Sequence, residues 1–273
     1  MTMVDHLPPA TAAGSLVPAL SLRKVGKAYG SAQAPQWAVQ DFTLDIADGE
    51  FISIIGPSGC GKSTLFNIIG GFFARYDGDV VVHGQSDATA RRAIGSVFQE
   101  ESTFAWRTAL ENVLFPLEAA GVPKLERLER AREMLALVGL EGFENHYPAA
   151  MSGGMKQRVS IARTLAVRPK ILLMDEPFAA LDEQTRILLG DKVLQIQQAL
   201  KQTTLLITHN LTEAVQLSDR VVIMTYRPGR IKRIVDIDLP RPRSSEIITS
   251  ERFGKLVGSI WADLREEANR GMK

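Results

Sequence analysis

The stretch FISIIGPSGCGKSTLFNIIGG, residues 51–71, decides the fold. Phe51 to Ile55 is apolar except for Ser53 and rich in β-branched side chains, which predicts a short buried strand. The chain then breaks into Gly56, Pro57, Ser58, Gly59, Cys60, Gly61, Lys62, Ser63 and Thr64, and Leu65, Ile68 and Ile69 follow at helical spacing. Strand, glycine-rich loop and helix form the context that a phosphate-binding loop requires, and every fixed position of G-x-x-x-x-G-K-S/T is filled. Glycines let the backbone curl so that its N–H groups converge on an anion. The helix beginning near Lys62 adds unpaired N–H donors and the positive end of its dipole. Lys62 supplies a charge for the outer phosphates, and Ser63 a hydroxyl for a phosphate-bound Mg²⁺. The alternative, a glycine turn before an ordinary helix, leaves this complete pattern unexplained. The loop predicts a nucleoside triphosphate but not what is done with it.

Composition sets outer limits. With 273 residues and 45% hydrophobic content, the chain can bury one large core or two small ones. A net charge of +1 gives no bulk attraction to nucleic acid or to an anionic membrane. No uninterrupted apolar stretch is long enough to span a bilayer, and no basic region followed by an apolar segment marks a secretory signal. Cys60 is the single cysteine, so an internal disulfide is excluded. His6, His83, His146 and His209 show no metal-ligand spacing with one another or with cysteine.

Taken in order, residues 1–18 read as a flexible tail rich in Ala, Thr and Pro. Leu20, Leu22 and Val25 begin a strand, and Tyr29 reads as part of a glycine-flanked turn. Val39, Phe42, Leu44 and Ile46 alternate as another strand. Asp77, Gly78 and Asp79 read as a turn before a strand at residues 80–83. Ile94 to Phe98 is a strand that ends at Gln99. Helical spacing then runs from Thr108 to Leu117 and from Lys124 to Val138, an all-helical insertion among strands. Ser152, Gly153 and Gly154 precede a helix, with Ser152 a candidate N-cap. Ile171 to Met174 is an apolar strand ending in Asp175 and Glu176. A helix at residues 183–200, a strand ending at Thr208 and His209, and a helix near residues 211–217 follow. Strands at residues 220–224 and 231–237 close the series. A helix over residues 247–269 carries Phe253, Val257, Ile260 and Leu264 on one stripe, which predicts docking on the body. Alternation of helices with uniformly apolar strands predicts an α/β fold whose parallel sheet is covered on both faces. The phosphate loop, the Asp175–Glu176 pair and His209 all follow strand ends, so they converge on one edge.

These residues carry a resemblance. In order and spacing, Tyr29, the loop at 56–64, Gln99, Ser152-Gly153-Gly154-Met155-Lys156-Gln157, Asp175-Glu176, Ala180-Leu181-Asp182 and His209 resemble the ATP-binding cassette family, and among its members the nucleotide-binding subunits of bacterial importers. The likeness covers residues 20–237. It implies a P-loop NTPase core of RecA type, an antiparallel β subdomain and an inserted helical subdomain at about residues 100–165. Together these make a cassette over 19–240, followed by a linker and helix over 241–273.

The resemblance implies ATP and Mg²⁺ as cofactors and a transport-coupled ATPase, that is, a translocase. Tyr29 would stack on adenine. Ser63, Gln99 and Asp175 would hold the metal. Glu176 would be the general base and His209 would contact the γ-phosphate. Ser152, Gly153, Gly154 and Gln157 would bind the nucleotide of a second, inverted copy, with Asp182 at that interface. Permease subunits would dock near Phe104, Trp106 and Arg107, with a periplasmic substrate-binding protein as an indirect partner and no nucleic acid. The expected location is the cytoplasmic face of the inner membrane, peripherally attached. Segments such as Tyr226-Arg227-Pro228-Gly229-Arg230 look like the branch serving nitrate, aliphatic sulfonates and taurine. Met151, Ala105 and Ala179 depart from the usual Leu, Pro and Gly of the family, and Ala105 bears on the shape of the docking loop. Competing expectations are a cassette acting on DNA or ribosomes, a nucleotide-binding module that does not hydrolyse, and an exporter. Long coiled-coil insertions or a second cassette would mark the first, and neither occurs in the sequence. Intact Glu176 and His209 argue against the second.

Overall fold

A computed structural model describes residues 17–31, 33–86, 89–100 and 102–271. The expected tail falls almost wholly outside the described residues. The centre is a six-stranded sheet in the order β5 (Ile94–Val97), β6 (Ile171–Asp175), β7 (Thr203–Ile207), β3 (Phe51–Ile55), β8 (Arg220–Met224), β9 (Ile231–Asp236). Neighbours from β5 to β8 run parallel, and β9 returns antiparallel to β8. Strands β3, β6 and β7 are buried along their whole length, as uniformly apolar parallel strands should be. Ser53 is tolerated there because its hydroxyl bonds that of buried Ser218.

Alternate residues of one strand feed different cores, following the two-residue period of strand side chains. Leu172 and Met174 join the core built on α2 (Ala109–Ala119), α3 (Lys124–Leu137), α4 (Gly153–Ala166) and α5 (Glu183–Leu200). Ile171 and Leu173 join the opposite core, which contains α1 (Lys62–Ile69) and the second sheet. That sheet is antiparallel, in the order β2 (Ala34–Ile46), β1 (Leu20–Ser31), β4 (Asp77–Val82). A third core joins α6 (Leu211–Leu217) and α7 (Glu251–Gly271) to β8 and β9.

Three sequence expectations need correcting. Asp77, Gly78 and Asp79 are not a turn but the start of β4, where Asp77 pairs with Gly26 and Asp79 with Arg23. A register shift in β1 between Arg23 and Gly26 drives Gly78 to φ +80, so the segment has turn-like residues inside a ladder. Tyr29 likewise lies in β1, opposite Gln36, because the hairpin closes beyond it at Ser31 and Ala34. The C-terminal helix is also subdivided: a 3₁₀ turn at Ser245–Thr249 precedes α7, and Ser250 separates them. Phe253 and Ile260 are buried on that helix, with Val257 and Leu264 packed alongside, so the stripe docks on the body.

One close approach ties the two sheets at the phosphate loop. Gly229, between β8 and β9, donates its N–H to Ala38 and accepts from Gln40 at 2.9 and 3.0 Å. A Cβ added to Gly229 would stand 2.1 Å from the Cys60 carbonyl oxygen. Gly229→Ala is therefore expected to cost roughly 2 kcal/mol or more of stability, read as a lower urea midpoint with an unchanged slope. A wild-type midpoint would show that the loop yields freely.

Candidate active site

The phosphate loop follows β3 because the buried strand delivers the chain to the sheet edge and α1 begins at once. Gly61 caps α1 at φ 104, and a Cβ there would lie 2.5 Å from the Ala38 carbonyl, so only glycine fits. Lys62 is buried; its Nζ donates to the carbonyls of Gly56 at 2.8 Å and Pro57 at 3.1 Å. Those bonds fold the loop around its own cation, and Cys60 N–H closes the turn on the Pro57 carbonyl at 3.3 Å. Cys60 is fully buried, and burial pushes its thiol up in pKa, so this residue lends the loop its backbone and not a reactive sulfur.

The loop walls a cleft of about 1220 Å³. Ser58, Gly59, Gly61, Lys62, Ser63 and Thr64 form one side, and Tyr29, Gln99 and Glu176 also border it. The Tyr29 hydroxyl lies 3.2 Å from Thr64 Oγ1, which fixes an exposed aromatic ring beside the start of α1.

Asp175 ends β6 and is only 6% exposed. Burial pushes its carboxyl up in pKa, and Glu176 adds to the shift, while Ser63 and Lys62 pull it back only in part. Its Oδ1 is buried with no hydrogen-bond partner among the described residues. Such an oxygen is costly unless a cation arrives. No cluster of three or more His, Cys, Asp or Glu among the described residues could hold a metal by itself. Mg²⁺ fits this pattern, since it takes one or two protein oxygens and completes its shell with phosphate and water.

Glu176 sits at φ 45, a left-handed conformation rare for a glutamate, and its N–H is pinned to the Ile207 carbonyl at 2.8 Å. Its Oε2 accepts from Gln99 Nε2 at 3.2 Å and lies 3.1 Å from His209 Nδ1. Oε1 has no partner among the described residues and can accept a proton from a water in the cleft. The sequence-predicted Gln99, Glu176 and His209 thus come together, with Gln99 donating to Glu176 and His209 Nδ1 standing against the same oxygen. Beside His209 in the chain lies a buried polar group that the sequence does not signal. Thr208 Oγ1 donates to Glu213 Oε2 at 2.6 Å, and Arg186 lies 3.5 Å from the other oxygen of Glu213. Glu213, four residues after His209 on α6, is buried and raised in pKa by that burial.

Other predicted residues lie elsewhere in the chain. Ser152 caps α4, its hydroxyl accepting from Met155 N–H at 3.3 Å, and none of Ser152, Gly153 and Gly154 lines the cleft. A Cβ on Gly154 would meet Leu181 at 3.0 Å, so this segment packs beside Ala180, Leu181 and Asp182. Asp182 caps α5 through Thr185 N–H at 2.9 Å, and that bond lowers its pKa. Gln157 lies on α4 with its side chain turned inward. It is buried, and its Nε2 donates to the Phe98 carbonyl at 3.1 Å. One helical turn beyond Gly153, it faces the core and braces the strand end that carries Gln99.

Phe104, Trp106 and Arg107 form a separate surface. Trp106 is 73% exposed, its ring 5.5 Å from that of Phe104, which packs against Phe115 at 4.9 Å. Arg107 covers Phe115 at 5.0 Å. Buried Asn112 holds the loop rigid: its Oδ1 accepts from Phe104 N–H, and its Nδ2 donates to the carbonyls of Phe104, Arg107 and Thr108. Ala105 therefore does not leave this loop without support.

Comparison places the chain among known proteins. Residues 39–179 match the ABC transporter family. An aliphatic sulfonates import ATP-binding protein of Bacillus licheniformis is 41% identical over 225 residues, covering 82% of this chain and 87% of that protein. A bicarbonate transport ATP-binding protein of Synechocystis sp. is 43% identical over 235 residues, covering 85% and 83%. A dimeric, post-hydrolysis ATP-binding cassette bound to ADP and Pi superposes with a TM-score of 0.73 at 34% identity, over 81% of this chain and 100% of that one. Fold and loop together define a P-loop nucleotide-hydrolysing cassette. The chain belongs to the ABC transporter family and is an ATPase of the kind coupled to transport.

Asp175→Asn tests the buried carboxylate. A folded pKa above the unfolded one means a stability cost that is absent below the unfolded value and grows as pH rises through the folded one. The variant is expected to melt higher than wild type at neutral pH without nucleotide, with the difference vanishing in acid. Its ATP hydrolysis is expected to fall roughly 100-fold or more. Hydrolysis at the wild-type rate would remove Asp175 from the site.

Proposed function

We propose that this protein is the nucleotide-binding subunit of a bacterial importer for a small anion such as nitrate, an aliphatic sulfonate or taurine. The observation that carries this reading is the gathering of Lys62, Asp175, Glu176, Gln99 and His209 at one sheet edge, while a second anion-binding helix start, Ser152 to Gly154, lies outside that cleft. One nucleotide needs one cradle; two cradles per chain fit two chains arranged head to tail. Each ATP would then lie between one chain's loop and the partner's α4 N-terminus, where helix N–H groups favour phosphate. The names of two relatives, one for aliphatic sulfonates and one for bicarbonate, support small oxyanions as the cargo class. The dimeric cassette with ADP and Pi supports the paired state.

Mg²⁺ bound with ATP would be held by Ser63, Asp175 and Gln99 and would neutralise charge on the outer phosphates. Tyr29 offers its ring to adenine. Lys62 can turn from loop carbonyls to the phosphates as these enter. Glu176 Oε1 takes a proton from water as the water oxygen attacks the γ-phosphorus and ADP leaves. His209 and Gln99 hold Oε2 and so aim the base. Hydrolysis removes the γ-phosphate contacts that join the two chains, and the dimer opens. The Phe104–Trp106–Arg107 surface, an exposed aromatic cluster on a rigid loop, suits a permease segment. No helix among the described residues is long and apolar enough to cross a membrane, so the reading requires separate membrane subunits and peripheral attachment on the cytoplasmic side. A periplasmic binding protein would deliver the cargo to those subunits.

Glu176→Gln is expected to lower phosphate release by roughly 10²–10⁴-fold while ATP holds the protein as a dimer on gel filtration. Turnover equal to wild type would assign the base elsewhere.

A further inference from the structure

Arg227 and Arg230 stand in the turn between β8 and β9, and both border the cleft that holds Lys62. Nothing in the hydrolysis chemistry uses either one. Arg230 is committed to protein groups: its Nη2 donates to Gln40 Oε1 at 2.6 Å and lies 4.0 Å from Asp41. Arg227 differs. Its Nε donates to the Gly59 carbonyl at 2.9 Å, at the crown of the phosphate loop, and no other hydrogen bond or ion pair among the described residues engages its guanidinium. The Nη2 group is so close to the loop that a Cβ on Gly59 would sit 2.9 Å from it. A cation with no ion-pair partner among the described residues is therefore fixed on the rim of the same cleft that Lys62 lines. Two cations lining one cleft, with no carboxylate among the described residues paired to either, suit a polyanion.

The turn is also stiff. Thr225 Oγ1 donates to the Pro228 carbonyl at 2.7 Å and accepts from Arg230 N–H at 3.0 Å. Gly229 is bonded on both sides to β2. Tyr226 N–H is held at 3.0 Å by Oε2 of buried Glu267, which lies on α7 and pairs with Lys232 at 2.9 Å. Arg227 thus projects from a braced backbone with its Nε already anchored on Gly59, so little ordering is left to do when a ligand binds.

We propose that Arg227 is a nucleotide-binding residue whose Nη groups donate to the phosphate chain of bound ATP and ADP. The proposal rests on the reading of this cleft as the nucleotide site and adds a contact from the opposite side of the loop. A planar guanidinium anchored through Nε presents both Nη groups on one edge, the geometry suited to phosphate oxygens. The β8–β9 turn, and α7 behind it, then become part of the nucleotide site.

Equilibrium titration of the full-length protein with ATP and with ADP, at low and high salt, tests this on wild type, Arg227→Gln and Arg227→Lys. Arg227→Gln is expected to weaken both nucleotides about tenfold, equal to about 1.4 kcal/mol, and to flatten the salt dependence of binding. Arg227→Lys, which keeps the charge but not the planar fork, is expected to recover only part of the affinity, and both variants to melt with wild type. Affinities within twofold of wild type with an unchanged salt dependence would overturn the proposal. Equal losses in Gln and Lys variants with lowered melting would overturn it too, by showing Arg227 to be a brace for the loop. A wild-type protein that binds no ATP would instead sink the assignment of the cleft itself.

Discussion

A carboxylate oxygen of Asp175 is buried at the tip of an apolar strand without a hydrogen-bond partner among the described residues, and the site is built around that cost. An ionised group so placed is stable only when a cation comes to it. Lys62 is engaged by loop carbonyls and so does not fully satisfy the acid. What fits is a ligand bringing its own metal and a polyanion that Lys62 can share. The fold makes the arrangement possible because parallel strands carry all their helix connections at the same ends. The loop after β3, the acids after β6 and the histidine after β7 therefore open on one edge, though well over a hundred residues separate the first from the last.

The helical layer is joined to that edge by contacts that can be followed residue by residue. Exposed Trp106 packs on Phe104, and Arg163 of α4 lies over the Phe104 ring at 5.2 Å while its Nη1 donates to Ser102. On the same helix, Gln157 holds the carbonyl of Phe98, the residue before Gln99, and Gln99 touches Glu176. A change in nucleotide contacts at Gln99 thus lies one packed helix away from the surface read as the permease contact. The physical basis is a continuous run of packed and hydrogen-bonded groups; the bistable element it would bias is the dimer.

Much of this was legible in the sequence because the signals are local. The phosphate loop is a spacing pattern bounded by a strand and a helix, and the caps at Ser152 and Asp182 follow from residue type at helix starts. Strand burial followed from unbroken apolar runs. What was not legible depends on long-range pairing or on which way a side chain turns. Asp77, Gly78 and Asp79 have turn chemistry, yet a bulge in a strand some fifty positions earlier absorbs them into a ladder. Gln157 sits in a motif associated with nucleotide, but the phase of α4 turns it to the core. Glu213 and Arg186 pair across two helices next to the strand end that carries Thr208, and no sequence pattern joins them. Arg227 lies far along the chain from Gly59, and only the pairing of β8 with β3 brings them together.

The central claim is that a nucleotide is enclosed by the loop of one chain and the Ser152 segment of another. Mixing two variants tests it most directly, both in a Glu176→Gln background, one carrying Lys62→Ala and the other Gly153→Asp. Alone, neither should retain ATP through gel filtration, since each lacks one half of every shared site. Mixed, they form one intact pairing of loop and segment per heterodimer, and retained ATP should reappear. A mixture that stays empty, while the Glu176→Gln protein retains ATP, would contradict the account.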